Sequence, residues 1–433
     1  MDDGADDDVP GVTGSPADGL WWPGDHRAGG LMGGAALLRT AVRVEQVWLD
    51  ALVDAAVAPP QARADLAPLV SDVDERALAE ASESGGNPVM PLVAALRADL
   101  RAAGQEAAAT WLHRGLTSQD VMDTAVLLCA REAVTAVRRQ LGAQVERLAA
   151  LVEEHRSTPL VARTLTQPAV PTTFGAKAAG WLHGLLDADD ALAALPWPVQ
   201  LGGAAGTLSA VVELAGTERA RALRAGVPAA LGLDPSPPWH TRRTPVTRLG
   251  DAATTATDAW GRIANDVLAL GRPEVGELRD GSAGGSSTMP HKANPTLAVL
   301  VRRTALAAPQ LATNLHLAAA EQVDERADGG WHVEWHTLAL LLRRTAVAAS
   351  QASDLLRGLH VDSARMATRL EELDDAVHAE QRSMSALTGR PASATYRGLV
   401  DDLVDEALAR AADHLAHPPK STDSTDSTVQ EDL

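Results

Sequence analysis

Cysteine, phenylalanine and tyrosine each occur once in 433 residues. The lone thiol, Cys129, excludes a disulfide framework within the chain, and its apolar neighbours mark it as a packing residue. Ten tryptophans are the other aromatic residues. The core must therefore rest on aliphatic side chains, chiefly alanine and leucine. No run of about 18 apolar residues occurs, so no membrane-spanning helix is expected. Cations are scarce: 38 Lys and Arg face 57 Asp and Glu, a formal net charge of −19. That balance argues against nucleic acid as the main partner, because phosphate binding needs a basic face. It leaves room for a small anion, since a few clustered cations focus positive potential in one cleft of an acidic protein. Period-two runs of Val, Ile and Thr are missing too, so sheet content should be minimal. The opening "MDDGADDDVP" lacks the basic and apolar regions of a secretory leader, and a cytoplasmic protein is expected.

What is present is helix. Apolar residues make up 45 %, as in a folded globular protein, and the length suits two or three domains. From "LTSQDVMDT" onward, Val134, Val137, Leu141, Val145, Leu148 and Val152 recur at steps of three and four. Thr117 and Asp120 have capping-box spacing at the start of this stripe. The pattern lasts about 37 residues, roughly 55 Å at 1.5 Å per residue. A helix that long implies a bundle with equally long neighbours. Further helical stretches are expected at about 174–194, 209–225, 251–269, 295–321 and 334–358, with Pro309 kinking the fifth. The fold class is all-α: three helical domains around a central long-helix bundle. We place a disordered acidic arm at 1–28, an N-terminal domain at 29–112 and the bundle at 113–358. A small helical domain follows at 359–416, then a disordered tail at 417–433.

One stretch does not fit a quiet bundle. "GSAGGSSTMPHKANPT", residues 281–296, joins a glycine-rich part to a stiffened, cationic one. Gly276, Gly281, Gly284 and Gly285 allow wide backbone freedom. Ser286 and Ser287 offer hydroxyls, Lys292 a point charge and Asn294 two donors. A lid over an anion needs these features. A solvated linker has a similar composition.

Gly285 to Asn294, "GSSTMPHKAN", fits G-S-x-x-M-x-x-K-x-N and resembles the signature of the fumarase/aspartase superfamily. That resemblance implies a homotetramer whose active sites are each built from three segments of different subunits. The first resembles Thr117, Ser118, Asp120 and Thr124 of "TSQDVMDT"; the second is "RTLTQPAVPTTFGAKAAGW", 163–181; the third is the loop. "TSQDVMDT", "PVQLGGAAGTL", "PWHTRR" and "GWHVEW" look most like the muconate-cycloisomerase branch. The resemblance runs from about residue 30 to 410.

The chain departs from the eliminating lyases at two places. Their relay histidine and glutamate fall here on Pro168 and Val299, neither of which transfers a proton. Expelling an amine or hydroxide requires an acid for the leaving group. Lactonisation does not, because the nucleophile is the substrate's own ionised carboxylate. The branch therefore implies lactonisation of 3-carboxy-cis,cis-muconate in protocatechuate degradation. The alternatives are a fumarate-releasing lyase of the adenylosuccinate type and a catalytically silent homologue. Under the resemblance Ser286, or its neighbour Ser287, carries a proton to carbon, and Lys292 stabilises the serine oxyanion. Thr117, Ser118, Gln167 and Asn294 are candidates for the carboxylates of a small tricarboxylate. His240, Arg242 and Arg243 are candidates for a further cation, with surface arginines the competing reading. His113 reads equally as a helix-flanking residue, and His291 receives no role. No metal or cofactor is implied, since neither H-E-x-x-H nor G-x-G-x-x-G after a strand occurs.

Overall fold

The computed structural model describes residues 19–281, 284, 289, 293–326 and 328–417. The chain opens with α1 (Gly34–Asp54), then α2 (Glu75–Gly85), α3 (Val89–Ala102) and α4 (Glu106–Trp111). Asp74 starts α2 by accepting from the Arg76 and Ala77 amides. In α3, Val89, Leu92, Val93, Leu96 and Leu100 form the buried stripe that holds it on the core.

The stripe from Val134 to Val152 lies on α5 (Ser118–Glu154), a helix of 37 residues. Its two halves differ. The C-terminal half buries one stripe, whereas from Gln119 to Ala130 every residue but Val126 is buried. Even Asp120, Asp123 and Thr124 are covered there. Polar groups hidden in this way must be paired, so the start of α5 is where packing and chemistry meet.

A short antiparallel ribbon follows, β1 (Pro159–Thr164) with β2 (Gln167–Thr173), and leads into α6 (Phe174–Ala193). Then come α7 (Ser209–Ala215), α8 (Thr217–Leu231) and α9 (Thr244–Leu270). The single helix expected near 209–225 is broken at Gly216, whose φ of 76° no continuing helix tolerates. β3 (Leu278–Arg279) precedes the signature loop, and α10 (Thr296–Ala320) follows it. α10 runs on through Pro309. The chain ends with α11 (Gly329–Gly358), β4 (His360–Val361), α12 (Ser363–Glu372), α13 (Asp374–Val377), α14 (Ala379–Thr388) and α15 (Val400–Ala416). β3 and β4 pair through Leu278–Val361 and Arg279–His360.

Helices α5, α6, α9, α10 and α11 pack on one another as the long-helix bundle. One hydrophobic cluster continues from α1 through this bundle to Val404, Ala407 and Ala411 of α15. Four tryptophans are fully buried, and each indole has a partner. Trp48 donates to the Arg114 carbonyl at 2.8 Å and Trp239 to the Val199 carbonyl at 3.0 Å. Trp181 donates to Asp266 at 2.9 Å and Trp260 to Gln144 at 2.7 Å. A buried ring that must also satisfy an N–H fixes orientation as well as volume. No helix among the described residues is long and apolar enough to cross a membrane.

The acidic-arm expectation needs correction over 19–28. Trp22 is buried between the Arg303 and Arg344 guanidiniums, 3.7 and 4.0 Å from its ring centre. Asp25 is buried against Arg343, accepting from Nε at 2.8 Å. The arginines that order this stretch come from α10 and α11, some 300 residues away, and composition carries no trace of them. Residues 1–18 and the tail from 418 lie outside the described residues.

Candidate functional site

The first segment is built around Asp120. Its carboxylate accepts from the Thr117 amide at 3.1 Å, closing the first turn of α5. It also accepts from the Gly202 and Gly203 amides at 2.8 and 2.9 Å and from Gln200 Nε2 at 3.2 Å. Thr124, one turn on, donates to the Gln200 carbonyl at 3.1 Å and accepts from the Gln200 amide at 3.0 Å. In T-S-x-D-x-x-x-T, then, the Asp and second Thr tie the "QLGG" turn to α5, leaving Thr117 and Ser118 at the helix start. The first four N–H groups of a helix have no intrahelical partner, the capping box takes up those of Thr117 and Asp120, and the helix dipole favours an anion at the rest.

A cation stands beside them that the motifs did not point to. Arg326, between α10 and α11, donates through Nη1 to Thr117 Oγ1. Thr117 Oγ1 also accepts from the Asp120 amide in a capping box, so the fold uses both its lone pairs and its proton is what is left to donate. Arg326 precedes "GWHVEW" by only a few residues. Its type and place carried a signal, but only the fold brings it to Thr117.

His240 is buried at 4 % exposure. Its Nε2 lies 3.3 Å from Asp120 Oδ1 and makes no hydrogen bond. The "GGAAG" turn closes over the imidazole: a Cβ at position 202 would lie 2.6 Å from His240 Cε1, so glycine is required there. His113 has a left-handed backbone, φ 62°, and its Nδ1 is 2.6 Å from the fully buried Glu45.

Arg243 is neither a surface arginine nor a free cation, and the substrate-binding expectation is corrected. It is buried, and its guanidinium is committed to two acids. Nη1 and Nη2 hold Asp123 at 2.7 and 3.0 Å; Nε and Nη2 hold Glu334 at 2.9 and 2.6 Å. Nη1 also reaches the Trp239 and His240 carbonyls at 3.3 and 3.4 Å. Trp331 Nε1 donates to Asp123 at 2.8 Å. Burial pulls the Arg243 pKa down, but the two carboxylates outweigh it and leave it above its usual range. Burial raises the Glu334 pKa despite the pull of Arg243, and nearby Asp123 adds to the rise. "PWHTRR" and "EW" are thus two halves of one ion cluster that joins α5, the start of α9 and α11.

The second segment is the β1–β2 ribbon. Its tip, Leu165–Thr166, has φ of 48° and 69°, a pair of left-handed residues where Asn-Gly is usual. Leu165 is 95 % exposed. Gln167 and Pro168 are exposed on β2, and among the described residues the Gln167 amide reaches Thr166 Oγ1, at 3.4 Å. Among the described residues no hydrogen bond links the ribbon to Thr117. Arg163 anchors it instead to the fully buried Glu277, at 2.7 and 2.9 Å, just before the loop. Thr173 starts α6 by accepting from the Ala176 amide at 3.1 Å, and Lys177 sits 3.5 Å from Asp266.

For the third segment, Ser286, Ser287, Lys292 and His291 lie outside the described residues. The loop's two ends are described. Gly284 and Asn294 pair as an antiparallel bridge, both N–H···O distances 2.9 Å. Val299, on α10, is 51 % exposed.

These three segments on a long-helix scaffold are matched by known proteins. Residues 74–308 fit the family model described as lyase. Nitrosuccinate lyase of Streptomyces davaonensis is 40 % identical over 403 residues, 87 % of this chain and 84 % of that one. A 3-carboxy-cis,cis-muconate cycloisomerase of Bradyrhizobium diazoefficiens is 38 % identical over 353 residues, 79 % of this chain and 75 % of that one. The crystal structure of the 3-carboxy-cis,cis-muconate lactonizing enzyme of Pseudomonas putida superposes with a TM-score of 0.79 at 29 % identity. That match covers 87 % of this chain and 94 % of that one. The chain belongs to this lyase family, within the fumarase/aspartase superfamily.

Proposed function

We propose that the protein is an intramolecular lyase that converts 3-carboxy-cis,cis-muconate to 4-carboxymuconolactone. The reading is carried by a paired absence of proton-transfer groups: Pro168 and Val299 occupy the positions that, under the resemblance, correspond to the relay histidine and glutamate of the eliminating lyases. A substrate carboxylate oxygen attacks the conjugated double bond and forms the ring C–O bond. The displaced π electrons pass to the far carboxylate as an aci-carboxylate. One proton then adds to carbon, so three carboxylates become two and a lactone. Only that proton needs a donor. Ser286 supplies it, with Ser287 the neighbouring alternative, and Lys292 stabilises the resulting oxyanion. In sequence, Ser286 and Lys292 each stand two residues inside the Gly284–Asn294 bridge, a spacing that suits their acting as a pair. Asn294, Thr117, Ser118 and Gln167 hold substrate carboxylates, joined by Arg326; Asp120 keeps the Thr117 turn in place, and His240, buried 3.3 Å from it, is a further substrate-side candidate. Preorganised donors of this kind contribute about 2.7–4 kcal/mol each to the transition state.

A homotetramer with shared sites, in the cytoplasm, completes the reading. Two features support the assembly. No hydrogen bond among the described residues joins Gln167 to Thr117 or to Thr117's partners within one chain, and α10 carries an open apolar stripe. Val299, Leu306 and Leu317 are 51, 64 and 60 % exposed, at spacings that keep them on one helix face.

The 40 % identity to nitrosuccinate lyase favours a second reading, elimination of nitrite from nitrosuccinate. Nitrite is a weak base and departs without protonation, so this reaction also dispenses with the relay acid. Only the C–H proton must be taken up, again at Ser286. Two assays on the purified protein separate the readings: ultraviolet loss of the muconate diene, and colorimetric release of nitrite. Diene loss that is abolished in Ser286→Ala supports lactonisation. Nitrite release without diene loss replaces it with the second reading, and neither activity at any protein concentration sinks both.

A further inference from the structure

The α10 helix starts at a residue that cannot cap it. Its N-cap position is Pro295, whose side chain has no acceptor, and no side-chain cap is made there. The acceptor comes instead from the other end of the loop. Asp280 Oδ2 accepts from the Leu297 amide at 3.1 Å and the Ala298 amide at 3.4 Å, the second and third residues of α10. Asp280 is itself buried. It is pinned from behind, because Leu278–Arg279 pair with β4 and Glu277 is clasped by Arg163. Gly281, next along, packs so closely on α11 that a Cβ there would lie 2.1 Å from the Gly358 carbonyl oxygen. Further out, the Gly284–Asn294 bridge closes the same neck.

We infer that Asp280 is a positioning residue: by capping α10 across the loop, it fixes the two ends of the segment that carries Ser286 and Lys292. A cap donated by a local residue would satisfy the α10 amides equally well but would leave those ends independent. Here one carboxylate ties the residue that enters the loop to the helix that leaves it, so the two ends of the neck are held as one unit. This rests on the reading that the loop carries the proton-transfer serine, so one readout must not depend on substrate.

That readout is limited trypsin cleavage after Lys292, identified by fragment mass. The variants are Asp280→Ala, which removes the acceptor, and Asp280→Asn, which keeps an acceptor oxygen and removes the charge. We expect Asp280→Ala to be cleaved at Lys292 at least fivefold faster than the parent, and to lose at least tenfold in kcat with little change in melting temperature. Asp280→Asn should return both quantities to within about threefold of the parent. Parental cleavage and turnover in Asp280→Ala would overturn the inference. So would an Asn variant that behaves like the Ala variant, because charge rather than capping would then be at work. Loss of kcat in parallel with melting temperature, at parental cleavage rate, would reduce Asp280 to a general fold residue. Should the parent turn over neither substrate, the function proposed above fails, and the cleavage comparison still decides this one.

Discussion

The replacement Arg243→Met tests the ion cluster at the heart of the fold. It removes one buried cation from between two buried carboxylates and keeps the volume of the stem. At neutral pH the native variant must either bury Asp123 and Glu334 charged or take up a proton. For a carboxyl of ordinary pKa near 4, uptake at pH 7 costs about 4 kcal/mol, at 1.36 kcal/mol per unit. That agrees with the roughly 3–5 kcal/mol lost when one partner of a buried pair is removed. The pH sign follows from linkage. In the variant the folded-state carboxyl pKa lies above its unfolded value, so the native state binds the extra proton and loses stability as pH rises between the two. The stability gap to the parent should therefore narrow by about 1.4 kcal/mol per unit as pH falls from 7.5 toward 5. Urea unfolding followed by the fluorescence of the ten tryptophans, at pH 7.5 and 5.5, measures it. Glu334→Gln should be far milder, since Glu334 already has a raised pKa and the amide still accepts from Arg243. A gap that is the same at both pH values, or an Arg243→Met protein as stable as its parent, would refute the electrostatic account.

Arg326→Ala should weaken substrate binding, since a hydrogen bond to a charged group contributes about 1.5–3 kcal/mol, or roughly 10- to 150-fold. KM for the turned-over substrate should rise accordingly, with Arg326→Lys between the two; an unchanged KM would remove Arg326 from the site. Burial pushes the Cys129 thiol up to about 11, although a contact to Thr40 opposes it. Native protein should therefore react with a disulfide reagent at pH 8 only after denaturant is added, and immediate stoichiometric labelling would contradict the buried placement.

Much of this was written in local pattern. The stripe from Val134 to Val152 and the Thr117–Asp120 spacing announce α5, because a 3.6-residue period and a cap are properties of neighbouring residues. The signature loop, from Gly285 to Asn294, was legible for a similar reason: backbone freedom, hydroxyls and charge are encoded in residue type. The β1–β2 ribbon escaped notice because its prolines and its Leu-Thr tip lack the usual hairpin residues. Three assignments depended on contacts that no local pattern contains. Trp22 and Asp25 are ordered by arginines of α10 and α11. Arg243, a plausible ligand for a carboxylate when only "PWHTRR" is in view, is neutralised by Asp123 and Glu334 from two other helices. Arg326 reaches Thr117 across 209 positions of chain. The residue types fixed which chemistry was available, through hydroxyls, a lysine and the absence of relay acids. Which cations were free to use it was decided only by tertiary packing, because burial beside an acid consumes a charge and residue identity alone carries no information about its neighbours.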